Sequence, residues 1–200
     1  MNYRDIVVVD DFYENPDKVR EMALSTKYSI VKSPFFTRSS SFITNEFIPL
    51  FEDILKLKIT IDDCWTSKRK IEDSFVLDGN SFNGTFYKAS PKIKLNPNHI
   101  HHDSTDYVGV VMLSPDCPPE FGTSFWEEKN TQKSFTSSYY SKGSPSDPLC
   151  KLPKSNWREL DKIDYKYNRL LLYSGRLFHS INTTTDHERI NQLFSFNIQQ

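Results

Sequence analysis

The chain has 200 residues, and its 25 Lys and Arg against 26 Asp and Glu give a formal net charge of −1 at pH 7. This length suits one domain with a sizeable core, and we expect residues 1–200 to form a single domain. The balanced charge disfavours nucleic-acid partners, which usually require a basic excess. No apolar run approaches the ~18 residues that span a bilayer, and the charged N-terminus does not resemble a signal peptide, so we expect a soluble, cytoplasmic protein.

The first 65 residues predict a strand followed by two helices. The apolar run Ile6–Val9 is typical of a short strand. In "ENPDKVREMALSTK" (14–27), Asn15 can cap a helix and Pro16 fits its first position. A second helix is indicated by the apolar stripe of "NEFIPLFEDILKLKI" (45–59).

After Trp65 the pattern changes to strands and turns. The abundant aromatic residues (15 Phe, 10 Tyr and 3 Trp) favour β-structure. A hairpin turn is indicated at Asp78-Gly79-Asn80, and apolar stretches predict strands at 106–114, at 123–128, on either side of Ser174-Gly175, and at 188–198. Seven or eight short strands with long connections predict a mainly β fold with flanking helices: a double-stranded β-helix (jelly-roll) core, with the N-terminal helices packed on one sheet.

A long polar segment interrupts the strands at residues 129–165. Its composition predicts an irregular loop, which is unusual in a compact domain and is typically functional or disordered. Two interpretations stay open, namely an active-site lid and a surface insertion without a role.

The histidines are unevenly distributed along the chain. Of five in total, three lie in "HIHHD" (99–103) beside Asp103. On a strand, side chains alternate between faces, so His101 and Asp103 would share a face while His102 would point away. His179, which follows a predicted buried strand and a glycine turn, is the natural third ligand. Two histidines and one carboxylate form the facial triad of non-haem Fe(II) oxygenases, which leaves coordination positions open.

Arg189 opens the last predicted strand. There Arg189 and Asn191 would share a face, while Phe194 would lie on the opposite face. An arginine on an interior face is costly unless it meets an anion, and a carboxylate suits the guanidinium best. The alternative is a surface residue that forms an ion pair with Asp186 or Glu188.

Together, the H-x-D pair, His179 and Arg189 ten residues later resemble the signature of the Fe(II)- and 2-oxoglutarate-dependent dioxygenases, in particular the prolyl-4-hydroxylase-like group. The stretches "VVDDFYENPDKVREMAL", "YVGVVMLSPDCPPEFGTSFW", "YNRLLLYSGRLFHS" and "RINQLFSFN" are similar to an uncharacterised branch of that superfamily. The resemblance spans residues 5–27 and 83–197, and it also implies a jelly-roll core.

The resemblance implies a role for each matching residue. His101, Asp103 and His179 would bind Fe(II), and Arg189 would bind the C5 carboxylate of 2-oxoglutarate. Asn191 stands where the family often has Ser or Thr, and Tyr87 resembles a tyrosine that binds the cosubstrate. The implied reaction consumes O2 and 2-oxoglutarate, releases succinate and CO2, and hydroxylates an unactivated C–H bond.

Two other functions remain open from the sequence. A cupin-like metalloenzyme would use the same triad without 2-oxoglutarate and would have no need of Arg189. A non-enzymatic jelly-roll binding module would leave the histidine cluster unexplained. The sequence does not identify the substrate, which is either a small molecule or a protein side chain, and it does not reveal the oligomeric state.

Overall fold

The structure is a computed structural model that describes residues 6–31, 33–42, 45–62, 65, 83–89, 99–136, 147–181 and 188–199. In these residues the chain forms two α-helices, α1 (Pro16–Ser25) and α2 (Phe47–Leu55), and eleven strands. The strands are β1 (Ile6–Val9), β2 (Ser29–Val31), β3 (Ser33–Ser41), β4 (Ile59–Thr60), β5 (Thr85–Ala89), β6 (Tyr107–Met112), β7 (Thr123–Glu128), β8 (Trp157–Ile163), β9 (Leu170–Ser174), β10 (His179–Ile181) and β11 (Arg189–Ile198).

The strands form two antiparallel sheets. The larger has the order β1-β9-β6-β11-β5-β3-β2, with β4 paired to the end of β11, and the smaller has the order β10-β7-β8. Strands that are distant in sequence lie side by side, as β11 does between β6 and β5. The predicted fold class, a mainly β jelly-roll core with flanking helices, is confirmed.

Both helices pack on the outer face of the larger sheet. The Asn15 side chain caps α1 by accepting a hydrogen bond from the Lys18 N–H at 3.1 Å, as predicted. The buried Phe51 of α2 stacks on Phe196 of β11, with ring centroids 5.4 Å apart. This aromatic layer covers one face of β11 and leaves the other face for the space between the sheets.

The space between the two sheets is lined largely by apolar side chains. The larger sheet contributes Val108, Leu171 and Tyr173, and the smaller sheet contributes Phe125. Because side chains alternate along each strand, these residues lie on the opposite face from the helix-packed layer. Polar side chains that face this apolar space therefore mark a candidate functional site.

Several parts of the predicted secondary structure are wrong. The sequence did not indicate β2, and Ile59, predicted as the end of the second helix, lies in β4. The sequence did not indicate β3, whose segment "SPFFTRSSS" lacks a clear apolar alternation. The prediction that residues 129–165 are irregular is wrong for Trp157–Ile163, which pairs with β7. β8 lies at the edge of the smaller sheet, and its residues 158–162 are exposed, so its sequence is as polar as that of a loop.

Other predictions fall outside the part of the chain that the structure describes. The hairpin turn at Asp78-Gly79-Asn80 is one of them, and residues 137–146 of the long segment are another. The lid interpretation of residues 129–165 therefore stays a prediction. Within the described ranges there is no helix long and apolar enough to cross a bilayer.

Candidate functional site

The structure brings His101, Asp103 and His179 together, and the His179 ring lies beside Tyr173 and Phe125, which line the space between the sheets. One potential ligand atom from each lies within 4.8 Å of the others. His101 and His179 form an isolated antiparallel bridge, in which the His101 N–H donates to the His179 carbonyl at 3.0 Å and the reverse bond is 2.8 Å. The predicted strand through "HIHHD" is thus reduced to one bridged residue, yet this bridge is sufficient to place the two imidazoles side by side.

Both imidazoles are oriented by backbone carbonyls. His101 Nδ1 lies 3.1 Å from the His99 carbonyl, and His179 Nδ1 lies 2.9 Å from the Leu177 carbonyl. Since a carbonyl oxygen only accepts, each Nδ1 carries a proton, which leaves Nε2 as the ring atom that can bind a metal. This is the usual way in which a metal-binding histidine is held in its tautomer.

The electrostatics of His101 and Asp103 favour the forms that bind a metal. Burial, together with the charge of His179, lowers the pKa of His101 to about 4, so its imidazole is neutral at pH 7. Burial tends to raise the pKa of Asp103, but His179, whose Nε2 lies 3.3 Å from Asp103 Oδ2, and the other histidines outweigh it and hold the pKa at about 2. Asp103 is therefore a carboxylate in the neutral range.

Gly175 fixes the position of the loop that carries Asp103. The Asp103 N–H donates to the Gly175 carbonyl at 2.7 Å, and the Gly175 N–H donates to the Asp106 carbonyl at 2.9 Å. A Cβ at residue 175 would lie 2.1 Å from the Thr105 carbonyl oxygen and 3.4 Å from the Asp103 Cβ. Only glycine permits this close approach of the two backbones, so the glycine of the predicted turn also positions the carboxylate.

Arg189 lies on the interior face of β11 and is 4% exposed. Its Nη1 donates to the Phe121 carbonyl at 2.9 Å. Its Nε is buried and has no hydrogen-bond partner among the described residues. A buried unpaired donor on a cation costs free energy, and a bound anion would remove that cost. The alternative prediction, that Arg189 is a surface residue, is therefore wrong.

Asn191 and Tyr87 are direct neighbours across β11 and β5. Asn191 is buried, and its Oδ1 accepts a hydrogen bond from the Tyr165 hydroxyl at 3.1 Å. Tyr87 is partly buried, and desolvation raises its pKa well above the ordinary value of 10, even though the charges of Arg189 and Arg38 act in the opposite direction. Tyr87 thus keeps its hydroxyl proton and can donate it to a ligand.

A second interior cation, Arg38 on β3, was not predicted from the sequence. It is the Cα partner of Tyr87, and its guanidinium carbon lies 5.7 Å from the centre of the Tyr87 ring. Burial lowers its pKa to about 10, while Tyr87 and Asp103 act to raise it. Only the strand register brings Arg38 to the site, and nothing in "SPFFTRSSS" by itself indicates that register.

His102 points away from the triad, as predicted. Its Nε2 accepts a hydrogen bond from the Asp147 N–H at 3.2 Å. On the other side of positions 137–146, the Thr136 N–H donates to the Arg176 carbonyl at 2.9 Å. The described residues that border positions 137–146 are thus held close to the two loops that carry the triad.

Comparison with known proteins identifies similar solved structures. No protein-family model and no curated protein matches the chain. The chain is similar to a crystal structure of HygX from Streptomyces hygroscopicus with nickel, 2-oxoglutarate and hygromycin B bound (TM-score 0.58, 11% identity, 96% of this chain and 82% of that chain covered). A HygX structure with nickel and 2-oxoglutarate bound gives a TM-score of 0.57 at 12% identity, with the same coverage.

A weaker similarity is to an oxidoreductase of the 2OG-Fe(II) oxygenase family from Burkholderia pseudomallei, with a TM-score of 0.48, 9% identity, and 96% of this chain and 84% of that chain covered. At these identities, the similarity to HygX establishes the fold.

Proposed function

We propose that the chain is an Fe(II)- and 2-oxoglutarate-dependent dioxygenase that hydroxylates an unactivated C–H bond of a small molecule or a protein side chain. The observation that carries the proposal is the combination of two features in one interior space. One is the triad of His101, Asp103 and His179. The other is the buried Arg189, whose Nε has no partner among the described residues.

The triad fits a divalent iron. Two imidazoles, each held through Nδ1 so that Nε2 can bind, and one carboxylate are the ligand types that bind Fe(II) and leave positions open for a cosubstrate and oxygen. The absence of a thiolate from the triad suits a metal that reacts with oxygen. His101, Asp103 and His179 are therefore the residues that would hold the metal.

The rest of the site fits a dicarboxylate cosubstrate. Arg189 would bind the distal carboxylate of 2-oxoglutarate, because its guanidinium is buried and still has a donor to offer. Asn191, fixed by Tyr165, and Tyr87 would provide further hydrogen bonds beside it. HygX, which shares this fold, has been crystallised with both nickel and 2-oxoglutarate bound.

When bound, iron and 2-oxoglutarate together would supply the activation of O2, with release of succinate and CO2. The protein supplies orientation and a dry surrounding. Leu171, Tyr173 and Phe125 form an apolar wall next to His179, with the rings of Tyr173 and His179 4.8 Å apart. This wall would keep water away from the reacting centre.

Two alternatives would have different signatures. A cupin-like metalloenzyme would need the triad but not Arg189, and the burial of this guanidinium speaks against it. A binding module would need neither the aligned imidazoles nor the close backbone approach at Gly175.

We also propose that residues 1–200 form one domain, because β1, from the N-terminal part, pairs with β9 of the C-terminal part.

A turnover experiment tests the proposal. Protein loaded with Fe(II) is incubated with O2, 2-oxoglutarate and ascorbate, which is the reductant that takes the place of the absent substrate, and succinate and CO2 are quantified, with His101→Ala and Arg189→Ala as variants. We expect one Fe(II) per chain, formation of succinate and CO2 in equal amounts, and loss of both products in each variant. Bound Fe(II) with no consumption of 2-oxoglutarate would favour the cupin-like alternative, and no binding of Fe(II) would contradict the proposal altogether.

A further inference from the structure

His102, which lies between two residues of the triad, forms a hydrogen bond through each of its ring nitrogens. His102 Nδ1 lies 3.0 Å from the Asp103 carbonyl, and the Asp147 N–H donates to His102 Nε2 at 3.2 Å. A carbonyl oxygen only accepts and a backbone N–H only donates, so Nδ1 carries the proton and Nε2 provides a lone pair. One tautomer therefore satisfies both contacts, and the His102 ring connects the Asp103 backbone to a residue 45 positions later in the chain.

Asp147 in turn joins the two chain segments that border positions 137–146. Its Oδ2 accepts a hydrogen bond from the Thr136 hydroxyl at 3.0 Å, and its Oδ1 accepts one from the Leu149 N–H at 3.0 Å. Thr136 is 1% exposed, and a hydrogen bond to a carboxylate is stronger where water is excluded. We call this pair of residues the Thr136–Asp147 junction.

The contacts close into a ring that returns to Asp103. The Thr136 N–H donates to the Arg176 carbonyl at 2.9 Å, while Arg176 Nε and Nη2 donate to the Thr136 carbonyl at 3.1 and 2.9 Å. Gly175, next to Arg176, accepts a hydrogen bond from the Asp103 N–H at 2.7 Å. The N–H and the C=O of Asp103 are thus both members of one closed ring, and the position of Asp103 depends on the far side of that ring.

Buried aromatic side chains support the ring on the side of His102. The His102 ring meets the Phe178 ring edge-on, with the ring centroids 6.1 Å apart. Phe178 is fully buried in a cluster with Trp126 and Trp157. Since protein interiors are closely packed, His102 cannot move without displacing Phe178, which is the neighbour of His179 in the chain.

We propose that His102 is a positioning residue that transmits the placement of the Thr136–Asp147 junction to the Asp103 carboxylate and thereby raises the affinity of the triad for a divalent metal. The proposal rests on the proposed function in one respect, namely that the triad binds a metal. Groups that orient a metal ligand typically contribute about 10- to 100-fold to metal affinity. Because coupling between two sites is reciprocal, metal binding should also stabilise the junction.

Two substitutions of His102 separate its two hydrogen bonds. In His102→Asn, the amide nitrogen stands near the place of Nδ1 and can donate to the Asp103 carbonyl, but the contact with the Asp147 N–H is lost. In His102→Gln, the amide oxygen stands near the place of Nε2 and can accept from the Asp147 N–H, but the donor to Asp103 is lost. We expect each variant to bind Ni(II) about 10-fold more weakly than the wild type, or weaker still, in calorimetry of the metal-free protein. Wild-type affinity in either variant would overturn the proposal.

A third substitution acts on the far side of the ring and leaves His102 and the triad in place. Thr136→Val removes the hydroxyl that donates to Asp147 and should lower the affinity for Ni(II) by at least about threefold. The matched control is Thr131→Val, which removes a hydroxyl that donates to the Glu128 carboxylate at 2.8 Å outside the ring and should bind Ni(II) like the wild type. If the His102 variants do not fold, unchanged affinity in Thr136→Val would overturn the proposal, and so would an equal loss in the control.

Hydrogen exchange measures the reciprocal effect, which a purely structural role of His102 would not produce. Ni(II) should slow the exchange of peptides that contain Thr136 and Asp147 in the wild type, but not in His102→Asn. Equal slowing in both proteins, or none in the wild type, would overturn the proposal. All of these experiments use Ni(II) alone, so a failure to consume 2-oxoglutarate would contradict only the proposed function. A wild type that does not bind Ni(II) would overturn both.

Discussion

Replacing Arg189 with methionine should raise the stability of the metal-free protein and abolish cosubstrate binding. The buried, unpaired Nε costs about 1–3 kcal/mol, which the substitution recovers. The Phe121 carbonyl loses its 2.9 Å hydrogen bond, at a cost of about 1 kcal/mol. We therefore expect the free energy of unfolding to rise by about 0–2 kcal/mol. Loss of a buried partner of a carboxylate costs about 2–5 kcal/mol in binding, or roughly a 30- to 4,000-fold loss of affinity for 2-oxoglutarate.

Urea denaturation of the metal-free protein and titration of the Ni(II)-loaded protein with 2-oxoglutarate measure the two effects. The matched control is Arg158→Met, which removes an exposed arginine 2.6 Å from Glu127 and should change stability by less than about 1 kcal/mol and leave cosubstrate affinity unchanged. If Arg189→Met destabilised the protein by more than ~2 kcal/mol and still bound 2-oxoglutarate normally, Arg189 would be a structural residue, and the reasoning would be refuted.

Three further outcomes are expected. Gly175→Ala should lower the affinity for Ni(II) by about 10- to 100-fold in calorimetry, because the new Cβ would displace the loop that carries Asp103; unchanged affinity would contradict this. In the metal-free protein, the wild type should lose stability as the pH falls from 6.5 to about 4, because His101 takes up a proton more readily in the unfolded chain. The free energy of unfolding of His101→Gln should fall less over this range. Equal pH profiles of the two proteins would show that His101 titrates normally. Asp10→Asn should lose about 0.5–1 kcal/mol of stability at pH 7, because Arg169 and Lys166 lower the pKa of this carboxyl. In denaturation experiments, the difference in stability between wild type and variant should shrink as the pH falls below 4. A loss that does not depend on pH would indicate a packing effect.

The last strand shows how much of the site is predictable. The alternation in "ERINQLFSFNI" placed Arg189 and Asn191 opposite Ile190 and Phe194, and the structure has this arrangement. The alternation is clear because one face of β11 packs on aromatic side chains. A shift of one residue along the strand would turn the polar side chains toward that aromatic layer. The cap of α1 at Asn15 is predictable for a similar reason, because it depends on residues only three apart.

The parts that were missed depend on contacts between distant residues. β3 and β8 owe their conformation to partner strands, and their own sequences are too polar to indicate one. Arg38 reaches the site only through its register with Tyr87, 49 positions later in the chain. His101 lies beside His179 through two backbone hydrogen bonds and not through a continuous strand. A single sequence carries no information on such pairings.

The most direct test of the central claim is an anaerobic titration of the metal-free protein, first with Fe(II) and then with 2-oxoglutarate, followed by visible absorption. The account predicts the weak charge-transfer band of an iron-chelated keto acid. The band should be absent in His101→Ala and should need far more 2-oxoglutarate in Arg189→Ala. Binding of Fe(II) without a band would contradict the assignment of 2-oxoglutarate, and a band that persists unchanged in both variants would show that the site has been placed on the wrong residues.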